Sequence, residues 1–124
     1  LSVVPGARIG HIGLYRDPET LAPVEYYCKL PSDIASREVF VTDPMLATGG
    51  SMELAYGALQ TKGKPRKVII ATIIASQPAI DYMKEKFSDD ITLWTADIDP
   101  ELNEHSYIIP GLGDAGDLAF GEKL

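Results

Sequence analysis

The sequence predicts an α/β fold in which helices flank a parallel sheet. Strand-like and helix-like segments alternate from about residue 38 onward, an order that is typical of such folds. The run Val68–Ile74 is apolar on both faces, as expected of a central strand that is covered on both sides. Before residue 38, two strand-like stretches flank turn-forming residues, which indicates an antiparallel hairpin arm that protrudes from the sheet.

Three strands are expected in the sheet. The first, Glu38–Asp43, is a short apolar run that ends abruptly in an acid followed by a proline. The second is Val68–Ile74. The third, Ile91–Ala96, is rich in β-branched and aromatic residues, which favour strands.

Two helices are expected between these strands. Residues 51–62 carry an apolar stripe, and Gly63 stands just past the end, where a left-handed residue closes a helix. Residues 77–87 form the second helix, with Ser76 as its cap and Pro78 in its first turn. The two stripes are Met52, Ala55, Tyr56 and Leu59, and Ala79, Ile80, Met83 and Phe87.

Both ends of the chain fall outside this alternation. The hairpin strands are assigned to Ile9–Tyr15 and Val24–Lys29, with residues 16–20 forming the turn between them. The tail, residues 110–121, has four of the chain's 11 glycines and no periodicity. It is therefore predicted to be an ordered loop that approaches a ligand or another backbone closely.

Composition excludes several classes of protein. The 124 residues suffice for one domain, and the net charge of -7 argues against binding to nucleic acid. No apolar run approaches the ~20 residues that span a membrane. Cys28 is the only cysteine, which favours a reducing compartment, and we expect the cytoplasm. The chain opens on Leu1 without an initiator methionine, so we expect it to come from the middle of a longer protein.

The stretch from Val39 to Ser51 is the most informative part of the sequence. A buried strand ends in Asp43, a tight loop follows, and Thr48-Gly49-Gly50-Ser51 opens a helix. Two glycines allow backbone N–H groups to converge on one anion, and the helix amino-terminus adds positive charge. The lysine of a nucleoside triphosphate loop is absent, which indicates a single phosphate monoester as the ligand. An ordinary strand–loop–helix turn, with Ser51 as the cap, remains the alternative.

These thirteen residues resemble the phosphoribosyl-pyrophosphate motif of the type I phosphoribosyltransferases. Most branches carry two adjacent acids at the strand end, whereas Thr42-Asp43 matches the single-acid form of the uracil phosphoribosyltransferases. The resemblance implies a fold like theirs, with a parallel sheet, flanking helices and a hairpin arm. It also implies that phosphoribosyl pyrophosphate contacts Arg16, Asp43, Pro44, Met45, Leu46, Ala47, Thr48, Gly49, Gly50, Ser51 and Asp114.

A second stretch, Leu102–Asp117, resembles the uracil-binding segment of the same family. The resemblance implies that main-chain groups around Ile108, Gly113, Asp114 and Ala115 read uracil, and that Asp114 also faces the phosphoribosyl substrate. From the residues alone, the favoured interpretation of Asp114 and Asp117 is that they are loop-capping carboxylates. His105 is either a general base or a hydrogen-bonded structural residue.

The hairpin, in residues 13–17 and 23–27, resembles the flexible arm of the family. By that resemblance Arg16 contacts the pyrophosphate, as a guanidinium fork suits, and Arg16, Asp43 and Asp114 are the catalytic residues. A solvated arginine in a turn is the alternative for Arg16.

The family's reaction joins uracil to 5-phosphoribosyl 1-diphosphate and yields UMP and diphosphate in pyrimidine salvage. The resemblance implies Mg²⁺ as the cofactor, carried by the diphosphate without direct protein ligands. It further implies a homodimer or higher homo-oligomer and possible activation by GTP, with no nucleic-acid or membrane partner.

The resulting layout is a single, incomplete domain over residues 1–124. It comprises a hairpin arm at 9–30, a phosphoribosyl-binding core at 38–98 and a uracil-binding loop region at 102–121. The resemblance aligns with only the later part of the family's length, so the amino-terminal portion, which carries another arginine for pyrophosphate, is expected to be missing. Two alternatives stay open: a nucleotide-sensing regulatory protein on the same fold, and an inactive folded fragment.

Overall fold

The computed structural model describes residues 2–20 and 22–121. The chain divides into two compact units, one made of residues 1–39 and 50–68 and the other of residues 40–49 and 69–124. Each unit is described on its own below. Across the described residues, no helix is both long enough and apolar enough to cross a membrane.

A hairpin opens the first unit. Strands β1 (His11–Arg16) and β2 (Pro23–Lys29) pair antiparallel, with an irregularity in register after Gly13. The Asp17 carboxylate shapes the turn by accepting two backbone N–H groups, at 2.8 and 2.9 Å. The predicted antiparallel hairpin is therefore confirmed, with strand ends within two residues of those expected.

Helix α1 (Gly50–Thr61) packs against both hairpin strands in this unit. Tyr56 of the predicted stripe is only half-buried. Gly63 follows the helix end at φ +131°, in the left-handed range predicted for it. A short 3₁₀ helix, Ile34–Ser36, precedes the sheet. The side chains that α1 buries are Met52, Ala55, Ala58 and Leu59.

Among the described residues, a parallel sheet forms in the order β3 (Glu38–Leu46), β4 (Lys67–Ser76) and β5 (Ile91–Asp99). Most of it belongs to the second unit. Each strand runs further than the sequence predicted. The expectation that both faces of the central strand are covered is wrong within the described residues: Ile70 is fully buried, whereas the side chain of Ile73 is 65% exposed.

Helix α2 (Gln77–Lys86) begins directly after β4. The Ser76 hydroxyl accepts the Ala79 N–H at 3.0 Å, and Pro78 occupies the first turn, so both predicted start signals are confirmed. Phe87 of the predicted stripe lies at the helix end and is half-buried. The buried side chains of α2 are Ala79, Ile80 and Met83.

The chain after β5 contains elements that the sequence did not predict. Strands β6 (Glu101–Leu102) and β7 (Ile108–Ile109) form a small antiparallel pair. The tail predicted as an aperiodic loop ends in helix α3 (Ala115–Phe120). Six residues are fewer than two helical turns, which is too short for an apolar period to show in the sequence.

Candidate active site

The loop that follows β3 starts later than predicted. The strand continues past Asp43 and Pro44 to Leu46, which is buried, and the turn occupies residues 47–49. Proline has no N–H to give to a sheet, but β3 stands at the edge in the strand order found for the described residues. An edge strand tolerates proline, which explains why Pro44 does not end the strand.

The Asp43 side chain is partly buried next to this loop. Its Oδ1 accepts the Met45 N–H at 3.1 Å. Burial raises the pKa of the Asp43 carboxyl above its ordinary value of 3.8, and the hydrogen bond from Met45 opposes the rise. The acid is thus held by its own backbone in the stretch where the resemblance implies contacts with phosphoribosyl pyrophosphate.

Ser76 ties the loop to the start of α2. Its side chain is fully buried, and its hydroxyl donates to the backbone carbonyl of Ala47 while it accepts the Ala79 N–H. The sequence predicted Ser76 only as a helix cap. A hydroxyl directly after the apolar residues Ile73, Ile74 and Ala75 was the available sign of a second role.

Gly49 closes the turn under two constraints. Its φ is +87°, a conformation that favours glycine, and a Cβ at this position would lie 2.8 Å from Cδ1 of Tyr82. The aromatic ring of α2 therefore supports the loop at a point where a side chain has no room. Sequence reasoning did not identify Tyr82.

The remaining phosphoribosyl-contact candidates are divided between the units. Thr48 belongs to the second unit, whereas Gly50 and Ser51 begin α1 in the first. Arg16, the last residue of β1, is also in the first unit, where it is exposed and pairs with Pro23. Its exposed position is compatible with both roles that the sequence left open.

The loop predicted to bind uracil is anchored by Asp99 at the end of β5. Asp99 is 9% exposed, and its Oδ2 accepts the Gly111 N–H at 2.9 Å. Gly111 has φ +44°, and a Cβ there would lie 2.0 Å from the Ile108 carbonyl oxygen. Sequence reasoning missed Asp99, although an acid that ends a strand had already been noticed at Asp43.

The other residues of the predicted uracil-binding group follow in order. Ile108 is buried in β7, and Gly113 has φ +77° with open space around its Cα. Asp114 caps α3, because its Oδ1 accepts the Asp117 N–H at 2.9 Å, and Ala115 is the first residue of that helix. The capping role suggested for Asp114 is confirmed, whereas the ligand-binding role stays a prediction.

His105 lies in a turn that Asn103 organises. The Asn103 side-chain oxygen accepts the backbone N–H groups of His105 and Tyr107, each at 2.9 Å. The exposed imidazole has its Nε2 3.4 Å from Oε1 of Glu104. The hydrogen bond to Asn103 holds the His105 backbone, and the two roles that the sequence left open for the imidazole stay predictions.

Both predicted loops start from the same edge of the sheet. The strands β3, β4 and β5 are parallel, so Leu46, Ser76 and Asp99, which end them, lie at one edge. In open α/β sheets, ligands bind beyond this carboxyl edge. Within the described residues, no three or more His, Cys, Asp or Glu side chains are grouped so that they could hold a metal ion.

Comparison with known proteins agrees with this geometry. The family model described as uracil phosphoribosyltransferase matches residues 1–122. Curated proteins named uracil phosphoribosyltransferase from Clostridioides difficile (strain 630) and from Finegoldia magna are each 54% identical over 123 residues. These matches cover 99% of this chain but 58% of each relative, so the chain spans less than two thirds of the relatives' length.

A solved structure is also similar to the chain. The AQ2163 protein from Aquifex aeolicus superposes with a TM-score of 0.88 at 37% sequence identity, over 99% of this chain and 58% of that protein. The family model, the curated relatives and the superposition agree over nearly the whole sequence. The chain belongs to the uracil phosphoribosyltransferase family.

Proposed function

We propose that the chain contributes the phosphoribosyl-binding and uracil-binding loops to an enzyme that converts uracil and 5-phosphoribosyl 1-diphosphate to UMP and diphosphate. The observation that carries the proposal is the anchoring of two loops at one sheet edge: residues 47–49 by Ser76, and Gly111 by Asp99. The membership of the family supplies the substrates. Pyrimidine salvage in the cytoplasm is part of the same proposal.

The loop after β3 would hold the 5-phosphate of the sugar donor. Gly49 provides a backbone conformation that most residues avoid, and Gly50 and Ser51 begin α1, whose first N–H groups have no partner within the helix. The hydroxyl groups of Thr48 and Ser51 add two donors. Asp43 would accept from the ribose hydroxyls.

The second loop would bind the base through its backbone. The pyrimidine edge of uracil presents an acceptor, a donor and an acceptor, which two amides and a carbonyl can match. Gly113 has open space beside its Cα, so a flat base could approach the main chain there. Asp114 would contact the sugar from the start of α3, the helix that its Oδ1 caps.

The reaction breaks the bond between the sugar C1 and the diphosphate oxygen and forms a bond from C1 to uracil N1. Positive charge develops on the sugar as the diphosphate leaves, and a proton is lost from N1. The protein's part is to align the base with C1 and to exclude water, and Arg16 would contact the leaving group if the arm closes.

Mg²⁺ would be bound by oxygens of the diphosphate rather than directly by protein side chains. The resemblance to the family and the preference of Mg²⁺ for phosphate and water oxygens support this part of the proposal. When bound, Mg²⁺ would neutralise charge on the departing diphosphate. GTP activation and assembly into a homodimer or larger homo-oligomer are also proposed from the family.

UMP formation from uracil, the sugar donor and Mg²⁺ tests the proposal. The arms are this chain, Asp43→Ala and, as a matched control, Asp89→Ala, an exposed acid between α2 and β5. We expect product with the chain and the control and none with Asp43→Ala. If the chain alone is inactive, the assay is repeated after adding the upstream stretch of a relative.

Two other results would identify the alternatives. Tight UMP binding without turnover, in the presence of the upstream stretch, would favour the nucleotide-sensing regulator. Neither binding nor turnover in either form would identify an inactive folded fragment, an alternative that the 58% coverage of the relatives keeps open.

A further inference from the structure

Helix α2 contacts the loop at residues 47–49 at two separate points. At one end of the loop, the buried Ser76 hydroxyl, which caps α2, donates to the Ala47 carbonyl. At the other end, the Tyr82 ring occupies the space that a Cβ on Gly49 would need. All four residues belong to the second unit, so both contacts are made within one compact body. The start of α2 thus holds both ends of the loop.

The Tyr82 ring limits the space around Gly49. A Cβ built on Gly49 would lie 2.8 Å from Cδ1 of the ring and 3.6 Å from both Cε1 and Cγ, so one edge of the ring faces the glycine. Non-bonded carbon atoms prefer separations of about 3.5–4.0 Å. Gly49 has φ +87°, and a glycine on its own visits positive and negative φ almost equally. The ring edge therefore supplies a steric limit that the glycine backbone lacks by itself.

The position of Tyr82 is in turn fixed by its helix. The side chains that α2 buries, Ala79, Ile80 and Met83, lie within the same turns as Tyr82. Nζ of Lys86, one turn further along, lies 5.8 Å from the centre of the Tyr82 ring, a distance at which a cation is attracted to an aromatic face. The ring that limits Gly49 is therefore attached to a packed helix and oriented by a neighbouring charge.

Phosphate binding by a glycine loop depends on backbone N–H groups that already point toward one place. A loop that samples many conformations has to be ordered by its ligand, and ordering the backbone of one residue is equivalent to about a tenfold loss of affinity. Glycine has more conformational freedom to lose than any other residue. A side chain that restricts Gly49 in advance removes this loss, because the loop is then ordered before the ligand binds.

We propose that Tyr82 is a positioning residue of the phosphoribosyl site, whose ring keeps Gly49 in the conformation that receives the phosphate group of the sugar donor. This role rests on the proposed function, which assigns the loop after β3 to that phosphate. Tyr82 acts through Gly49, and the contact is made by the edge of its ring. Phenylalanine should therefore replace tyrosine at this position, whereas a residue without a ring should not.

The first measurement needs no ligand. NMR relaxation of the backbone nitrogens gives the order parameter of the Gly49 amide in the parent chain, in Tyr82→Phe and in Tyr82→Ala. We expect about 0.85, typical of a rigid backbone, for the parent chain and Tyr82→Phe, and a fall toward about 0.6 for Tyr82→Ala. An unchanged order parameter in Tyr82→Ala would overturn the proposal.

The second measurement is the affinity for ribose 5-phosphate, which carries the sugar and the phosphate monoester of the donor, by calorimetric titration. Tyr82→Ala should bind this probe about tenfold more weakly than the parent chain, and Tyr82→Phe should bind it as tightly as the parent chain. Equal affinities of Tyr82→Ala and the parent chain would refute the role of Tyr82 and leave the proposed function intact. If the parent chain itself does not bind the probe, the proposed function fails instead, and the order parameter of Gly49 still decides whether Tyr82 orders the turn.

Phe87→Ala is the matched control, because it removes another half-buried aromatic side chain, at the carboxyl end of α2. It should lower the stability toward urea but leave the order parameter of Gly49 and the affinity for ribose 5-phosphate unchanged. Equal weakening of binding by Phe87→Ala and Tyr82→Ala would show a general loosening of α2 and contradict a specific role of Tyr82. If circular dichroism shows that Tyr82→Ala is unfolded, Tyr82→Leu replaces it, since leucine keeps apolar bulk without the flat ring, and the same two changes are expected at smaller size.

Discussion

The Ser76 hydroxyl connects two backbone groups that are 32 residues apart in sequence, as it donates to the Ala47 carbonyl and accepts the Ala79 N–H. One buried side chain thus holds both the phosphoribosyl-binding loop candidate and the first turn of α2. A backbone N–H can only donate and a backbone carbonyl can only accept, so no single backbone group could make both of these hydrogen bonds. The loop and the helix are expected to respond together to a change at this residue.

Replacement of Ser76 tests that connection. Ser76→Ala removes a helix cap and leaves a carbonyl without its partner, which should lower the free energy of unfolding by about 1–3 kcal/mol in urea. The control is Ser36→Ala, which removes an exposed hydroxyl that donates to the Asp33 carbonyl at 2.8 Å. We expect the control to change stability by less than about 0.5 kcal/mol. Equal losses for both variants would contradict the role of Ser76.

Gly49 should not tolerate any side chain. Gly49→Ala imposes a left-handed backbone on alanine and drives its Cβ toward the Tyr82 ring, at a cost of about 1–3 kcal/mol in urea unfolding. Gly57→Ala is the matched control, because a Cβ at this α1 position meets nothing within 4 Å. Alanine there should be neutral or stabilising by up to about 1 kcal/mol. A full rescue of Gly49→Ala by Tyr82→Ala would show that the backbone conformation is not a constraint.

Loss of the Asp99 carboxylate should loosen the second loop. In Asp99→Ala the Gly111 N–H has no acceptor, and we expect a loss of about 1–2 kcal/mol and faster hydrogen exchange at the Gly111 amide. Asp99→Asn retains an oxygen acceptor and should recover most of the loss. Asp97→Ala, at an exposed position in the same strand, is the control. Unchanged exchange at Gly111 in Asp99→Ala would rule out the anchoring role.

The raised pKa of Asp43 predicts a pH dependence of stability. Folding favours the protonated acid, so its contribution is complete below pH 3.8 and is lost as pH rises through the raised native pKa. Asp43→Asn should therefore match the parent chain near pH 3 and exceed its stability at pH 7. Urea unfolding across this range measures the difference. A variant that is less stable at pH 7 would show that the ionised carboxylate is well satisfied.

Asp33 predicts the opposite behaviour at acid pH. Its hydrogen bonds to Arg37, at 2.6 and 2.8 Å, lower its pKa to about 2. Its contribution is present above pH 3.8 and is lost as pH falls toward about 2. Asp33→Asn should be less stable than the parent chain by a constant amount above pH 3.8, and this difference should vanish as pH falls toward about 2. A difference between the two chains that still changes with pH above 5 would show that the ion pair does not explain it.

The sequence predicted the elements whose signals are local. Ser76 and Pro78 mark the start of α2, and Gly63 marks the end of α1. Such signals can be recognised from the residues at the helix ends alone, without knowledge of the tertiary structure. The strand β3 was predicted too short, since Pro44 reads as a strand breaker unless its edge position is known. Whether a strand lies at the edge depends on the order of the strands in the sheet, and the sequence of a single segment does not specify that order.

The residues of the candidate site divide in the same way, into those that a local motif identifies and those that only the folded structure reveals. Asp43 and Gly49 belong to a motif of adjacent residues and could be read directly. Asp99 and Tyr82 act on the loops across 12 and 33 residues, through contacts that exist only once the chain is folded. Asp114 gave two sequence readings, and the structure tests only the capping one, because the other requires a ligand.

The distribution of aromatic residues gives the two units separate optical signals. Trp94 belongs to the second unit, whereas four of the chain's six tyrosines are in the first: Tyr15, Tyr26, Tyr27 and Tyr56. Tryptophan-selective excitation therefore follows one unit, and near-ultraviolet tyrosine dichroism reports mainly on the other. Coincident melting curves would establish a single cooperative transition, and separated curves would show that each half loses its structure on its own.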